Sequence, residues 1–210
     1  GGPLQVSPES FAASAGLEPE KSKTFEAGFR SFGAKYQASL AAYHVMFDNR
    51  LLSLNPCTSI EVGTRPECIT RFINVGSVKS QGAELTFILK PVQGLQWYNA
   101  LSWNKTTYED DYVSGGAIVP VAGKITVDTP QRMASSELSW NRDGWFASLR
   151  GKYTGKRYYT YTNDQSVPGV TTFDAGGGYS FGPGLGLQNV KVSLNVTNLT
   201  NKRYAGQLSS

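Results

Sequence analysis

The sequence contains no apolar run long enough to form a membrane-spanning helix. Such a helix needs about 20 mostly apolar residues, and the longest nearly apolar stretch, residues 40–47, is interrupted by His44. The first residues, Gly1, Gly2 and Pro3, form neither the charged segment nor the apolar core of a signal peptide. A membrane protein built from strands fits this composition, because a transmembrane strand needs only about 9–11 residues.

Histidine and cysteine are almost absent, which excludes several kinds of chemistry. His44 is the only histidine, so neither a zinc site of Cys and His ligands nor a nucleophile–base pair of the hydrolase type can be assembled. We therefore expect no enzymatic activity, no bound metal and no cofactor. Cys57 and Cys68, the only two cysteines, flank one Pro-, Gly- and Thr-rich segment. Their position predicts a disulfide in an oxidising compartment, with two free thiols as the alternative.

Charged residues are also scarce, at 17% of the chain, and the formal net charge is only +4. The cations are dispersed rather than clustered, so nucleic acid is not expected as a partner. Glycine, tyrosine and phenylalanine are abundant instead, with 23, 11 and 10 residues. Short strand-like segments separated by Gly, Pro, Asn and Asp favour an all-β barrel or sandwich.

Near its end the sequence alternates strictly between apolar and polar residues. Successive side chains of a strand point to opposite faces, so this pattern predicts a strand with one apolar and one polar face. The apolar positions are Val190, Val192, Leu194 and Val196, and the polar ones are Lys191, Ser193, Asn195 and Thr197. Seven further segments have strand character: residues 24–30, 36–52, 72–90, 95–108, 132–140, 145–161 and 170–181.

The connections between these segments alternate in length. Short ones at residues 31–34, 91–94, 141–144 and 182–188 alternate with longer ones at 55–71, 109–129 and 163–169. Repeated apolar–polar strands with aromatic ends predict an antiparallel transmembrane β-barrel, and short periplasmic turns alternating with long extracellular loops are typical of bacterial outer-membrane barrels. A soluble sandwich has no reason to sort its connections in this way. In that orientation the eighth strand ends outside the cell, so we expect about eight strands of a larger barrel, open at both edges.

Three motifs stand in order along the chain. Residues 17–28, LEPEKSKTFEAG, fit L-x-P-E-x-S-x-x-x-E-x-G, and residues 74–84, NVGSVKSQGAE, fit N-x-G-x-x-x-S-x-G-x-E. Residues 195–204, NVTNLTNKRY, fit N-x-x-N-L-[FT]-[ND]-x-x-Y. Together they resemble the C-terminal part of the barrel of TonB-dependent outer-membrane receptors, especially the ferric-siderophore branch.

The resemblance implies a fold, a location and partners. It implies strands fourteen to twenty-one of a 22-stranded barrel, of the class whose lumen is plugged, with residues 1–210 as its C-terminal portion. The plug domain, the TonB box and the last strand are missing from this sequence. The implied function is energy-coupled uptake of a ferric siderophore or similar scarce ligand across the bacterial outer membrane. The implied partners are the TonB–ExbB–ExbD complex acting through the plug, outer-membrane lipid and lipopolysaccharide.

One basic and aromatic strand end is a candidate ligand site. Cations and phenols there could hold an anionic ferric chelate through charge and stacking. The alternative places the tyrosines in an interfacial girdle and pairs the cations with lipopolysaccharide phosphates. The candidate contacts are Arg150, Lys152, Arg157, Tyr158, Tyr159 and Tyr161. Glu84, Glu137 and Asp174 occupy polar positions of the alternating pattern. We expect their carboxylates to join hydrogen-bond networks inside the barrel.

Two other functions fit parts of the pattern. The first is a small eight-stranded, OmpA-like structural or adhesion barrel. Its interior would be filled by side chains, whereas the inward set here is rich in Ser, Thr and Asn. The second is a TonB-dependent receptor for a ligand without iron, such as cobalamin or a saccharide.

Overall fold

The computed structural model describes residues 17–54, 71–74, 76–114, 117–182 and 190–206. These residues form fourteen strands. In chain order the strands are β1 (Lys21–Phe32), β2 (Tyr36–Asp48), β3 (Leu51–Leu54), β4 (Arg71–Asn74), β5 (Val78–Leu89), β6 (Leu95–Tyr108), β7 (Tyr112–Ser114), β8 (Ala117–Val119), β9 (Arg132–Arg142), β10 (Trp145–Thr154), β11 (Arg157–Tyr158), β12 (Ser166–Val167), β13 (Val170–Ser180) and β14 (Lys191–Val196). Within the described ranges, no helix is long and apolar enough to cross a membrane.

Eight of the strands form one antiparallel sheet, in the order β1-β2-β5-β6-β9-β10-β13-β14. Neighbours in the sheet are neighbours along the chain, so the sheet is a meander of hairpins. The other six strands form three small hairpins, β3–β4, β7–β8 and β11–β12. Each small hairpin lies in one of the longer connections, at the end of the sheet that we call the loop end. The opposite end, with the short connections, is the turn end.

The prediction of eight antiparallel strands in an open sheet is confirmed. Strands β1 and β14 stand at the two edges of the sheet, and their described residues do not pair with each other. A closed eight-stranded barrel would need a ladder between them, because closure leaves no free edge. The arrangement therefore disagrees with the small-barrel alternative.

Three of the predicted strands are interrupted at the loop end. The segment 36–52 breaks at Asn49, which has a φ of +57°, and the segment 72–90 breaks at Gly76, with a φ of +76°. Positive φ is incompatible with an extended strand. The segment 145–161 breaks at Gly155, where a Cβ atom would lie 2.9 Å from the carbonyl oxygen of Arg132. The residues beyond each break form one strand of a small hairpin.

The strand register gives the sheet one mainly apolar face, on which Asn99 and Ser136 form a hydrogen-bonded polar pair between two apolar rows. Residues paired directly across antiparallel strands share a face. One row of such pairs consists of Phe29, Leu40, Leu85, Leu101, Ala134 and Tyr153. A second row, closer to the turn end, consists of Trp97, Leu138, Leu149, Ala175 and Val196. The register confirms that Val192, Leu194 and Val196 lie on the apolar face. Their cross-strand partners Tyr179, Gly177 and Ala175 belong to that face.

Aromatic side chains border this face at both ends. At the turn end, the rings of Trp145 and Tyr179 meet edge to face with centroids 4.9 Å apart, and Tyr179 meets Phe181 at the same distance. At the loop end, Trp103 and Tyr153 occupy the same face of the sheet. Two aromatic borders around an apolar band are the girdles expected of a transmembrane barrel wall.

Cys57 and Cys68 lie outside the described residues, so their disulfide stays a prediction.

Candidate functional site

The polar face carries an ion pair and a hydrogen-bond network at mid-strand. Arg150 on β10 is paired in register with Glu137 on β9 and with Asp174 on β13. The Arg150 Nε donates to the Glu137 Oε2 over 2.7 Å, and Asp174 Oδ1 accepts a 2.8 Å bond from the backbone N–H of Asn198. The expected hydrogen bonds are seen for Glu137 and Asp174, whereas Glu84 forms no ion pair or side-chain hydrogen bond with another described residue. The charge of Arg150 is therefore balanced by the Glu137 carboxylate.

Lys152 lies two residues from Arg150, on the same face of β10 and closer to the loop end. Its cross-strand neighbours are Ser135 and Thr172, which are uncharged. The side chain is exposed, and no carboxylate of the described residues lies within ion-pairing distance of its ammonium group. Lys152 thus offers an unbalanced positive charge on the polar face, whereas Arg150 does not.

A small apolar cluster at the loop end joins β5 and β6 to the β6–β9 connection. Its buried residues are Val78, Tyr108, Tyr112 and Val121. Tyr161 of the β10–β13 connection packs against this cluster, with its ring centroid 6.1 Å from that of Tyr108 and 5.9 Å from that of Tyr112. Burial, followed by the nearby Tyr161 phenol, raises the pKa of Tyr112 above its ordinary value. Tyr161 therefore supports the loops.

Arg157 ties together three segments that are distant in sequence. Its Nη1 donates to Asp128 Oδ1 over 2.8 Å and to the carbonyl oxygen of Gly206 over 3.2 Å, and its Nη2 donates to the carbonyl oxygen of Ala205. The side chain is only 10% exposed. A guanidinium group so engaged holds the loop end together and has few N–H groups left for a ligand.

Tyr158 and Tyr159 stand between Arg157 and the tip of the same loop. The Lys156 ammonium lies 4.4 Å from the Tyr158 ring centroid and donates to its hydroxyl oxygen over 2.7 Å. The backbone N–H of Tyr159 donates to the carbonyl oxygen of Gln165 over 3.3 Å. Both tyrosines are half-buried, so part of each residue stays accessible.

Two loop residues that sequence reasoning missed fix the geometry of this site. Asn163 accepts a 2.7 Å bond from the backbone N–H of Ile125 and donates a 2.8 Å bond to the Ile125 carbonyl oxygen. Asp128 receives the Arg157 guanidinium. Both have positive φ, 60° for Asn163 and 51° for Asp128. An isolated Asn or Asp between strand segments is the sequence signal for such turns, although it does not reveal the partner.

At the tip of this loop, two hydroxyl groups stabilise the carboxylate of Asp164. The hydroxyls of Thr160 and Thr162 each donate to Asp164 Oδ1 over 2.6 Å. These hydrogen bonds, the Thr160 bond first, hold the pKa of the Asp164 carboxyl below its ordinary value. The loop tip therefore presents a fixed negative charge near the basic and aromatic residues.

A meander with one apolar face, one polar face and connections sorted by length is the wall of a β-barrel. Comparison with known families agrees. Residues 2–199 match the family model described as "TonB dependent receptor-like, beta-barrel". The chain therefore belongs to this family of receptors.

Individual relatives align with nearly all of this chain, and this chain spans less than a third of their own length. The ferrioxamine B receptor of Salmonella typhimurium (strain SL1344) is 27% identical over 217 aligned residues, 97% of this chain and 28% of that receptor. The ferric citrate transporter FecA in its unliganded form aligns with a TM-score of 0.70 and 16% identity, over 93% of this chain and 29% of that chain. The copper transporter OprC aligns with a TM-score of 0.69 and 18% identity, over 93% and 28%. The two structures establish the shared fold.

Proposed function

We propose that this chain forms eight neighbouring strands in the transmembrane barrel of a TonB-dependent receptor that takes up a ferric siderophore across the bacterial outer membrane. In this proposal the apolar face contacts lipid and the polar face lines the lumen. The turn end lies in the periplasm and the loop end outside the cell. Residues 1–210 then contribute the C-terminal part of the barrel.

The observation that carries the proposal is the mainly apolar face between two aromatic borders. A soluble protein would cover such a face, because contiguous apolar patches larger than a few hundred Å² are rare on soluble monomers. Here large side chains on the face are exposed, among them Phe29, Leu101 and Leu194. Hydrocarbon is the environment in which such exposure costs nothing, provided that every backbone group is bonded within the barrel.

We propose that Lys152, Tyr158 and Tyr159 contact the ligand directly, with Arg150 below them in the lumen. Lys152 supplies the unbalanced charge, and the tyrosines supply ring surface at the loop end. Arg157 and Tyr161 act as positioning residues, since their side chains are engaged in the packing of the loops. A chelate with a negative charge would gain a charge-assisted contact from Lys152.

The wider partners belong to the same proposal. The name of one sequence relative supports a ferric chelate, since it is a ferrioxamine B receptor. Uptake against a gradient would be driven by the TonB–ExbB–ExbD complex acting on the plug of the receptor. Lipid and lipopolysaccharide would surround the apolar face.

The test is iron uptake by the receptor that contains this chain, in cells that lack their other ferric-siderophore receptors. We expect radioactive iron to enter from at least one chelate in a panel that includes ferrioxamine B, ferric citrate and a catecholate complex, and to stop entering when TonB is removed. Uptake of none of these chelates, or uptake that persists without TonB, would overturn the proposal.

The same assay tests the ligand contacts. Replacing Lys152 with alanine should raise the half-saturating concentration of an anionic chelate about tenfold, because a hydrogen bond to a charged group contributes roughly 1.5–3 kcal/mol. Lys35→Ala is the matched control, since Lys35 is an exposed lysine at the turn end. An equal effect of the two substitutions would exclude a direct role for Lys152.

A further inference from the structure

A polar residue lies in the middle of the apolar face. On β6 the apolar band of this face is formed by Leu95, Trp97, Asn99, Leu101 and Trp103, so Asn99 occupies the centre of the series. A strand rises about 3.3 Å per residue, which places Asn99 roughly 13 Å along the strand from Leu95 and from Trp103. The apolar band of a transmembrane barrel is about 25 Å tall. Asn99 therefore lies near its mid-depth.

Only one end of the Asn99 carboxamide is bonded. Its cross-strand partner is Ser136 on β9, whose hydroxyl donates to Asn99 Oδ1 over 2.8 Å. The same hydroxyl accepts a 2.9 Å bond from the Trp97 indole Nε1. The amide nitrogen of Asn99 has no acceptor among the described residues. None of their buried side-chain nitrogen and oxygen atoms lacks a partner, so this unbonded nitrogen lies open at the surface of the face.

Neither the neighbouring side chains nor the lipid can supply the missing acceptor. The cross-strand partner of Asn99 on the other side is Phe87 on β5, and the adjacent residues on the same face of β6 are Trp97 and Leu101. Acyl chains carry no acceptor at this depth, and the lipid headgroups lie beyond the aromatic borders. An amide N–H without an acceptor is costly in hydrocarbon. The group therefore requires a partner from outside the sheet.

The surroundings of Asn99 permit another protein surface to approach. Charged side chains lie only at the two ends of this face of the main sheet, where water and salt screen their repulsion. They are Lys21, Lys23, Asp48, Lys79, Lys105, Arg132 and Arg142. Toward β10 the neighbours of Asn99 are small, since Ser136 pairs with Gly151. Small residues allow surfaces within a membrane to come close together.

A second copy of the chain presents what Asn99 lacks. A carboxamide carries both a donor and an acceptor, so two Asn99 side chains can bond each other reciprocally. All copies have the same orientation in the membrane, and a two-fold axis along the membrane normal therefore brings the two Asn99 groups to the same depth. A two-fold dimer also uses the same patch on both subunits. An unrelated membrane protein would need a polar group of its own at this depth.

We propose that the receptor forms a two-fold dimer in the outer membrane through the outer wall of β6 and β9, with the two Asn99 carboxamides hydrogen-bonded to each other. A groove of about 380 Å³ beside them, lined in part by Leu101, Ala134 and Tyr153, receives a large apolar side chain of the partner. The inference rests on the proposed function, which assigns this face to lipid. It adds a protein partner that does not involve the ligand contacts in the lumen.

The first test is cross-linking in outer membranes, in the receptor with Cys57 and Cys68 replaced by serine. A single cysteine in place of Leu101 should give a covalent dimer with a short, membrane-permeant bifunctional thiol reagent. Leu194→Cys is the matched control, because Leu194 is an exposed leucine of the same face on β14 and lies outside the proposed contact. Equal cross-linking of the two variants, or a product of Leu101→Cys with a protein of another mass, would disprove the dimer.

The second test measures the dissociation constant of the dimer by sedimentation equilibrium of the detergent-purified receptor. Asn99→Leu should raise this constant about tenfold, because two polar contacts within the membrane are lost. Asn99→Gln keeps the carboxamide and should retain most of the affinity. If Asn99 only supports the sheet through Ser136, Asn99→Leu lowers the urea midpoint of the monomer and leaves the dissociation constant unchanged. That result, or a wild type that stays monomeric, would overturn the proposal.

Iron uptake is measured in the same cells as the cross-linking, which separates the two proposals. A receptor that takes up iron without forming the dimer contradicts only the dimer. A cross-linked receptor that takes up no iron contradicts only the proposed function.

Discussion

Tyr43 lies across Gly82 on the polar face, where the two residues are cross-strand partners. A Cβ atom at position 82 would lie 2.5 Å from the Tyr43 hydroxyl oxygen and 2.5 Å from the Trp103 carbonyl oxygen. Position 82 therefore requires glycine, because a side chain would collide with the Tyr43 ring and the Trp103 carbonyl oxygen. A glycine inside a strand often marks such a close approach. The pair explains one fixed position of the motif at residues 74–84.

We predict that Gly82→Ala lowers the free energy of unfolding of the receptor by about 1–3 kcal/mol, the usual range for overpacking. Gly182→Ala is the matched control, because no atom lies within 4 Å of a Cβ atom built there. Urea unfolding followed by tryptophan fluorescence measures both. Equal urea midpoints for Gly82→Ala and the wild type would show that the position of Tyr43 does not require glycine at residue 82.

Asp164 gives a second residue-scale prediction, in pH dependence. Its carboxyl pKa is lowered by hydrogen bonds from Thr160 and Thr162. A carboxylate with a lowered pKa stabilises the folded loop above the ordinary pKa, and this stabilisation disappears as the pH falls through the lowered value. Titration by carboxyl ¹³C NMR should place Asp164 below the ordinary aspartate range. Replacing both threonines with valine should move it upward, and no movement would show that the hydroxyls are not the cause.

At the scale of elements, the loop end is a set of small hairpins held by a few long-range bonds. The bonds from Arg157 reach Asp128 in the β6–β9 connection and the carbonyl oxygens of Ala205 and Gly206 after β14. The pair of backbone bonds from Asn163 adds a second link to the β6–β9 connection. The loops therefore depend on each other, and one substitution should loosen several.

We predict that Arg157→Ala speeds amide hydrogen exchange in residues 125–128 and 199–206 together, by about tenfold or more. The lost bonds involve charged groups, each contributing roughly 1.5–3 kcal/mol. Arg142→Ala is the control, because its ion pair is highly exposed and such pairs contribute little. Faster exchange in only one of the two segments would contradict the idea that Arg157 joins them.

The strands themselves were predictable from sequence, and their interruptions were not. Alternation over residues 95–108 and 132–140 predicts β6 and β9 closely, because apolar residues recur at every second position along much of each strand. The break at Asn49 lies inside a run that looks strand-like on both sides. A single residue in the left-handed region changes no hydrophobic period, so pattern reasoning passes over it.

At the scale of the whole molecule, register decides what the candidate site can do. Parity predicts that Arg150 and Lys152 share the polar face, because they are two residues apart on one strand. The difference between them comes from neighbours on other strands, Glu137 for one and Ser135 for the other. The role of Arg157 depends on Ala205, 48 residues away. Sequence spacing contains no information on contacts of that range.

In the proposed function, one face of the sheet contacts lipid and the other lines a polar lumen. A cysteine scan along β6, in the receptor with Cys57 and Cys68 replaced by serine, tests it directly. A membrane-impermeant maleimide is applied to outer membranes, and labelling is compared at successive positions. The scanned positions are Tyr98, Asn99, Ala100, Leu101, Ser102, Trp103 and Asn104.

We predict labelling at the even positions, which would face the lumen, and protection at the odd positions, which would face hydrocarbon. The two-residue period follows from the alternation of side chains along a strand. Fluorescence quenching by a quencher attached to lipid acyl chains should show the opposite pattern, strong at the odd positions and weak at the even ones. Uniform labelling of all seven positions, or a period with the parities reversed, would contradict the assignment of the apolar face to lipid.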